Sequence, residues 1–181
     1  MRELSMHILD IAQNSIVAGA SLIKIIVEEN MGEDILTIII EDDGKGMDEK
    51  ALAMVTNPFF TSRTTRKVGL GIPMFKASAE ACDGSFKIDS KIGEGTYVEA
   101  KFKHSHIDRV PLGNMPDTMV VLVSSDINID FIYKHIRNDK EYVLDTREIK
   151  EILGEVPINS IEVLDWVKGN IIEGIKELHT K

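Results

Sequence analysis

Residues 35–46 read ILTIIIEDDGKG. An isoleucine-rich run that stops on two aspartates and two glycines is the pattern of a largely buried strand feeding a tight turn. The run just upstream, SLIKIIVEE at 21–29, has the same character, and Asn30-Met31-Gly32-Glu33 between the two predicts a hairpin. Glycines after the second strand allow the backbone to approach a flat ligand closely. A carboxylate there can accept a hydrogen bond from an amino group. Taken alone, Asp42-Asp43-Gly44-Lys45-Gly46 is also what an ordinary acidic turn looks like.

Working outward, Leu4, Ile8, Ile11, Ser15 and Ala18 recur at three- and four-residue steps, which predicts a helix over residues 3–18 closed by Gly19. Asp48 caps a short helix through Val55. The irregular stretch Thr56–Val68 holds Pro58, the pair Phe59-Phe60 and three cations. Gly69-Leu70-Gly71-Ile72-Pro73 opens a further helix over about 72–82, with Pro73 in its first turn where a missing N–H costs little. Residues 85–90 and 96–103 predict a second hairpin across Ile92-Gly93-Glu94-Gly95. Past His104 the character changes. A linker punctuated by Pro111, Gly113 and Pro116 precedes an expected strand at Met119–Ser124 and an expected helix at Ile129–Ile136. Asp145 then starts a helix through Leu153, and Ser160 one to about Leu178.

The chain has 181 residues, 43% of them hydrophobic and 28% charged, which is enough apolar material for one domain with an appendage and excludes intrinsic disorder. Its formal net charge of −9 repels polyanions, so neither nucleic acid nor an acidic membrane is an expected partner, and any anionic ligand needs a local basic pocket. The single cysteine, Cys82, cannot form an intrachain disulfide, and no apolar run long and clean enough to span a bilayer is present; together these predict a cytoplasmic protein.

Three local features could carry chemistry. Asp10 and Asn14 stand four apart, on one helix face opposite the apolar stripe. The Asp42–Gly46 turn is the second. The third is Gly69-Leu70-Gly71, whose glycines precede a helix N-terminus with free N–H groups suited to phosphate. Each is common by itself. In order along the chain, however, Asp10-Ile-Ala-Gln-Asn14, Asp42-Asp-Gly-Lys-Gly46, Pro58-Phe-Phe-Thr-Ser-Arg63, Gly69-Leu-Gly-Ile72 and Gly93-Glu-Gly-Thr96 resemble the N, G1, F, G2 and G3 boxes of the GHKL ATPase superfamily. Asn14-Ser-Ile-Val-Ala-Gly-Ala is similar to the mismatch-repair members. Pro-Phe-Phe-Thr-Ser and the run from Gly69 to Phe102 look most like the catalytic domain of histidine kinases. The resemblance covers about residues 4–103.

The resemblance implies an α/β fold, the Bergerat two-layer sandwich, with a mixed sheet covered by helices on one face. An ATP-binding domain over residues 1–104 would be followed by an α/β extension over 105–181. It implies ATP with Mg²⁺ as cofactors. Asp42 would accept from the adenine amino group, with Gly44, Gly46 and Met47 of the same box lining the base. Thr96 would reach the adenine edge directly or through water. Asn14 would coordinate the magnesium, while Gly69, Leu70, Gly71 and Ile72 hold phosphate oxygens. Arg63, Arg66 and Lys67 would supply the lid's positive charge. Asp10 stands where ATP-hydrolysing members carry a glutamate, in the place of the general base. Val17 stands where relatives place an acid or a cation, and the lid between Phe60 and Gly69 is short, so that closure calls for a partner.

No phospho-accepting histidine is evident. His7 reads as structural, His135 as an ordinary histidine of the expected tail helix, and the pair His104 and His106 is too little for a metal site. The expected function is therefore a stand-alone kinase subunit acting on a histidine or serine of a partner protein. A nucleotide-dependent binding switch and a slow ATPase that dimerises as a clamp are the alternatives.

Overall fold

A computed structural model describes residues 3–56 and 70–180. The chain runs α1 (Leu4–Val17), β1 (Leu22–Asn30), β2 (Ile35–Asp42), α2 (Glu49–Val55), α3 (Gly71–Glu80), β3 (Ser85–Lys91), β4 (Gly95–Lys103), α4 (Met115–Ser125), β5 (Asp130–Arg137), β6 (Lys140–Asp145), α5 (Thr146–Leu153) and α6 (Ile161–Leu178). All six strands form one sheet in the order β3-β4-β2-β1-β5-β6. The sheet is mixed: β5 runs parallel to β1 and every other pairing is antiparallel.

Alternation along the strands sorts the two faces. Ile23, Ile25 and Val27 of β1 align with Phe131, Tyr133 and His135 of β5, and on the other side Ile25 and Val27 lie opposite Ile40 and Ile38 of β2. All are buried. Val98, Ala100 and Phe102 of β4 continue the same apolar layer, which meets the buried stripes of α1, α3, α4 and α6 in one core. The opposite face carries the exchanges of charge between Lys24 and Glu41 and between Lys134 and Glu141. This is the two-layer α/β sandwich with a mixed sheet.

Two expectations for the tail are reversed. Met119–Ser124 lies inside helix α4, not a strand. Its apolar run is rich in valine, but the buried residues Met115, Thr118, Met119, Leu122 and Val123 follow the helical spacing. Asn114 starts the helix by accepting from the Asp117 amide at 3.0 Å. Ile129–Ile136 is almost wholly strand β5, not a helix, because Phe131, Tyr133 and His135 alternate and their faces are filled by pairing with β1. The two C-terminal helices and all four earlier strands fall within a residue or two of their expected bounds.

The tail is tied into the structure at α1 and β1. The first-turn amides of α1 lack a side-chain cap and instead donate to the linker, Leu4 to the Pro111 carbonyl at 3.0 Å and Ser5 to that of Leu112 at 2.7 Å. At the far end of β1, Glu29 accepts from His135 at 2.9 Å, His104 at 3.0 Å and Arg137 at 3.2 Å. Thus His135 is a buried strand residue, and His104 is part of the same cluster. Burial alone would raise the Glu29 pKa, but hydrogen bonds from His135 and His104 and the charges of His135 and Arg137 outweigh it and hold the group at about 2. A depressed carboxylate contributes stability that is complete above its unfolded value of 4.5 and is lost as pH falls from there toward 2. Glu29→Gln is therefore expected to lower the urea midpoint at pH 6 and to flatten its decline between pH 4.5 and 3; an acid decline as steep as the parent's would reject the cluster's role.

Candidate functional site

The site is assembled at the opposite end of the sheet from Glu29, where β2 ends. Asp42 is the last residue of that strand and is buried. Its carboxylate accepts from the Ser15 hydroxyl of α1 at 2.5 Å and from the Gly44 amide at 2.9 Å. Two oxygens offer about four acceptor positions, so lone pairs remain for a ligand. Asp43, its neighbour, faces away and serves the fold. It accepts from the Ser21 and Leu22 amides and the Ser21 hydroxyl, which together outweigh burial and lower its pKa. The pair therefore divides its labour by strand alternation.

The turn after Asp42 is locked between α1 and the second hairpin. The Lys45 amide donates to the Ala18 carbonyl at the end of α1 at 3.0 Å, and the Gly93 amide donates to the Lys45 carbonyl at 2.8 Å. Gly46 has φ +67, and a Cβ there would be driven into the Lys91 carbonyl; Gly95 has φ +105, and a Cβ there would be driven into the Asp42 carbonyl. These two positions need glycine for both conformation and space. Met47 follows, half-buried against the core, its amide donating to the Ser90 hydroxyl at 2.9 Å. Thr96 pairs with Asp42 across β2 and β4 and so shares its face.

Asp10 lies half-buried on α1, and burial raises its pKa. It borders the start of α3: a Cβ on Gly71 would lie 3.1 Å from the Asp10 Cβ and 3.5 Å from its Oδ2. Leu70 caps α3 without a side-chain hydrogen bond, so the first-turn amides of Leu70, Gly71 and Ile72 have no intrahelical acceptor, and Pro73 has no amide to satisfy. Leu70 is exposed and Ile72 is buried. His7, on the same helix as Asp10, stacks on Phe75 of α3 with ring centroids 5.2 Å apart, and burial lowers its pKa to about 4. Its neutral ring joins the two helices that frame the site. Asn14 is half-buried one turn beyond Asp10, and Val17 is exposed.

The folded chain thus brings together Asp42, Gly44, Gly46, Met47 and Thr96 in one group, and Asp10 with Gly71 in a second, both bordered by α1. Arg63, Arg66, Lys67 and Gly69 lie outside the described residues. Sequence reasoning does not single out Ser15 or Ser90 as site residues. Ser15 does carry a signal, since it follows Asn14 on the apolar stripe of α1, where a hydroxyl needs a partner. Ser90 carries none, because its three partners depend on the meeting of β3, β4 and the turn after Asp42. Among the described residues no group of His, Cys, Asp and Glu has the arrangement of a metal site, and no helix is long and apolar enough to cross a membrane.

Known proteins are similar to this chain in sequence and in fold. Residues 2–106 match the family described as histidine kinase-, DNA gyrase B-, and HSP90-like ATPase. A putative sensor protein of Shewanella frigidimarina is 29% identical over 103 residues, covering 56% of this chain and 16% of that protein. A putative sensor histidine kinase NtrY-like of Rickettsia conorii is 25% identical over 108 residues, covering 60% of this chain and 18% of that one. Sensor histidine kinase YvrG of Bacillus subtilis is 27% identical over 85 residues, or 45% and 14% of the two chains. The chain spans less than a fifth of the length of these relatives. The Aquifex aeolicus MutL ATPase domain complexed with ADP has the same fold, with a TM-score of 0.51 at 11% identity over 84% of this chain and 69% of that one. With more than half its length matched, the chain belongs to the histidine kinase-, DNA gyrase B-, and HSP90-like ATPase family.

Proposed function

We propose that the chain is a kinase catalytic module that binds Mg-ATP and transfers the γ-phosphate to a histidine or serine of a partner protein. The observation that carries the nucleotide part is the Asp42 carboxylate, buried and oriented by Ser15 and Gly44, at the edge of a cradle closed by Gly46 and Gly95. A buried carboxylate held beside closely packed backbone suits the amino edge of a flat base. Asn14 offers the amide oxygen that a hard cation takes, on the helix that also carries Asp10, and so is assigned the magnesium. Mg²⁺, when bound, offsets charge on the phosphate oxygens. The amides of Leu70, Gly71 and Ile72 at the start of α3 are assigned to the phosphates, together with Gly69, Arg63 and Lys67. Asp10 is assigned the proton of the attacking hydroxyl, imidazole or water.

Asp42→Asn is expected to weaken ADP binding by about 2 kcal/mol, because it replaces a charge-assisted acceptor by an amide. The asparagine oxygen will turn to the Gly44 amide, which can only donate, and its NH₂ will take the side where the ligand also donates. Calorimetry with ADP checks this, and unchanged affinity would reject the pocket. Incubation with γ-labelled ATP in a lysate of the source then identifies the reaction: a labelled protein supports the kinase, and free phosphate alone supports an ATPase.

A binding switch without phosphotransfer is the second reading, favoured by one observation. The linker carbonyls of Pro111 and Leu112 cap α1, so that a partner held by residues 105–181 has a direct mechanical route to Asp10 and Asn14. Neither label transfer nor phosphate release, with ADP still bound, would select it.

A further inference from the structure

Ser90 lies in β3, outside every motif that marks this chain, yet its hydroxyl has three polar neighbours, each at 2.9 Å: the Met47 amide, the Gly95 carbonyl and the Thr96 hydroxyl. A hydroxyl owns one hydrogen and two acceptor lone pairs. The Met47 amide can only donate, so it occupies one lone pair of Ser90. The Gly95 carbonyl can only accept, so it takes the single hydrogen of Ser90. One lone pair remains, and among the described residues the Thr96 hydroxyl is the group left to fill it, by donating its own hydrogen. The direction of the Ser90–Thr96 bond is thereby settled by proton count. Thr96 is left with lone pairs alone toward any other neighbour.

That constraint matters because of where Thr96 stands. It pairs with Asp42 across β2 and β4 on one face of the sheet, and Ser90 pairs with Thr96 across β3 and β4. The Asp42 carboxylate already receives Ser15 and Gly44 and is an acceptor too. Two adjacent groups on the site's floor therefore accept and neither donates. A ligand edge carrying an amino group finds partners there. An edge carrying a carbonyl oxygen at the same place meets lone pairs and loses its water without replacement.

We infer that Ser90 is a positioning residue for nucleobase selectivity: by taking the Thr96 hydrogen it holds Thr96 as an obligate acceptor beside Asp42, so that the site takes 6-aminopurine nucleotides and rejects their 6-oxo counterparts. Ser90 acts through Thr96 and touches no nucleotide itself. The inference rests on the reading of the Asp42 pocket as the base site, and it adds the element that sets the choice of base.

The test is calorimetry of the full chain with ADP and with IDP, whose base carries a carbonyl at C6 and a hydrogen on N1 in place of adenine's amino group and N1 lone pair. The parent is expected to prefer ADP by about a hundred-fold, the size of the penalty for a buried polar group left without its partner. In Ser90→Ala the Thr96 hydroxyl is free to turn its hydrogen into the site, and the ADP/IDP ratio is expected to fall by about ten-fold. Ser90→Thr keeps the oxygen and retains the parent's ratio. Thr96→Val, which removes the second acceptor and leaves Ser90 bound to Gly95, also narrows the ratio and serves if Ser90→Ala does not fold. A folded Ser90→Ala or Thr96→Val with the parent's ratio overturns the inference, as does an equal loss of ratio in Ser90→Thr, which would assign the effect to packing. A parent chain that binds neither nucleotide overturns the base-site reading instead, and one that binds ADP and IDP alike overturns the selectivity while leaving that reading intact.

Discussion

Asp10→Asn is expected to lower ATP turnover by a factor of about 10² to 10⁴ while the dissociation constant for ADP stays within about two-fold. The substitution keeps the shape of the side chain and removes its negative charge and with it the capacity to take a proton. Asp10 sits against Gly71 at the start of α3, where amides without an intrahelical acceptor and the helix dipole favour negative charge, so the phosphates of a bound nucleotide would be held beside it. Burial raises its pKa above the usual carboxylate value, which makes the unprotonated form a better base than a solvated aspartate at neutral pH. The sign of the pH dependence follows. Turnover rises with pH as Asp10 loses its proton, and this rise, centred above 3.8, is absent from the variant's residual rate. Single-turnover measurement with γ-labelled ATP separates the chemical step from binding. Retained turnover in the variant would remove Asp10 from the base role.

Gly95→Ala is expected to destabilise the fold by about 3 kcal/mol or more. The residue has φ +105, and a methyl group there meets the Asp42 backbone carbonyl, which cannot retreat because Asp42 is paired to both β1 and β4. Gly93, two residues earlier in the same hairpin, provides the internal control. It has φ +80, and a methyl group added there would have nothing within 4 Å, so Gly93→Ala carries only the left-handed backbone cost of about 1 to 2 kcal/mol. The difference between the two urea midpoints isolates the steric term. Gly95→Ala is also expected to abolish ADP binding in whatever fraction folds, since relief of the clash displaces Asp42. Equal midpoints for the two variants would show that the hairpin moves freely and that the cradle is not locked.

Much of this organisation is legible in the residues. The isoleucine-rich strands, the Gly19 and Asp48 helix boundaries and the second hairpin depend on local pattern and turn chemistry, and the structure has them. The tail misleads because its segments are short and apolar. MVVLV at 119–123 satisfies β propensity, and the helical spacing shows only when the window is widened to Met115. Residues 129–136 contain too few polar positions to separate a helix from a strand until β1 supplies the pairing partner.

Site chemistry divides along the same line. Residue type and order along the chain, through the resemblance they carry, nominate Asp10, Asn14, Asp42, Gly46 and Thr96 as candidates, and the structure sets Asp42, Gly46 and Thr96 in one group. What each side chain faces comes only with the tertiary structure: Ser15 on Asp42, Gly71 on Asp10, Ser90 on Thr96, and the linker carbonyls on α1. Those contacts join residues far apart along the chain or close three elements at once, and a periodic pattern records that a residue is buried but not which neighbour buries it. The polarity of the site's floor is a property of that packing, since it follows from counting hydrogens among Ser90, Gly95, Met47 and Thr96, groups that meet only when the sheet closes on the turn after Asp42.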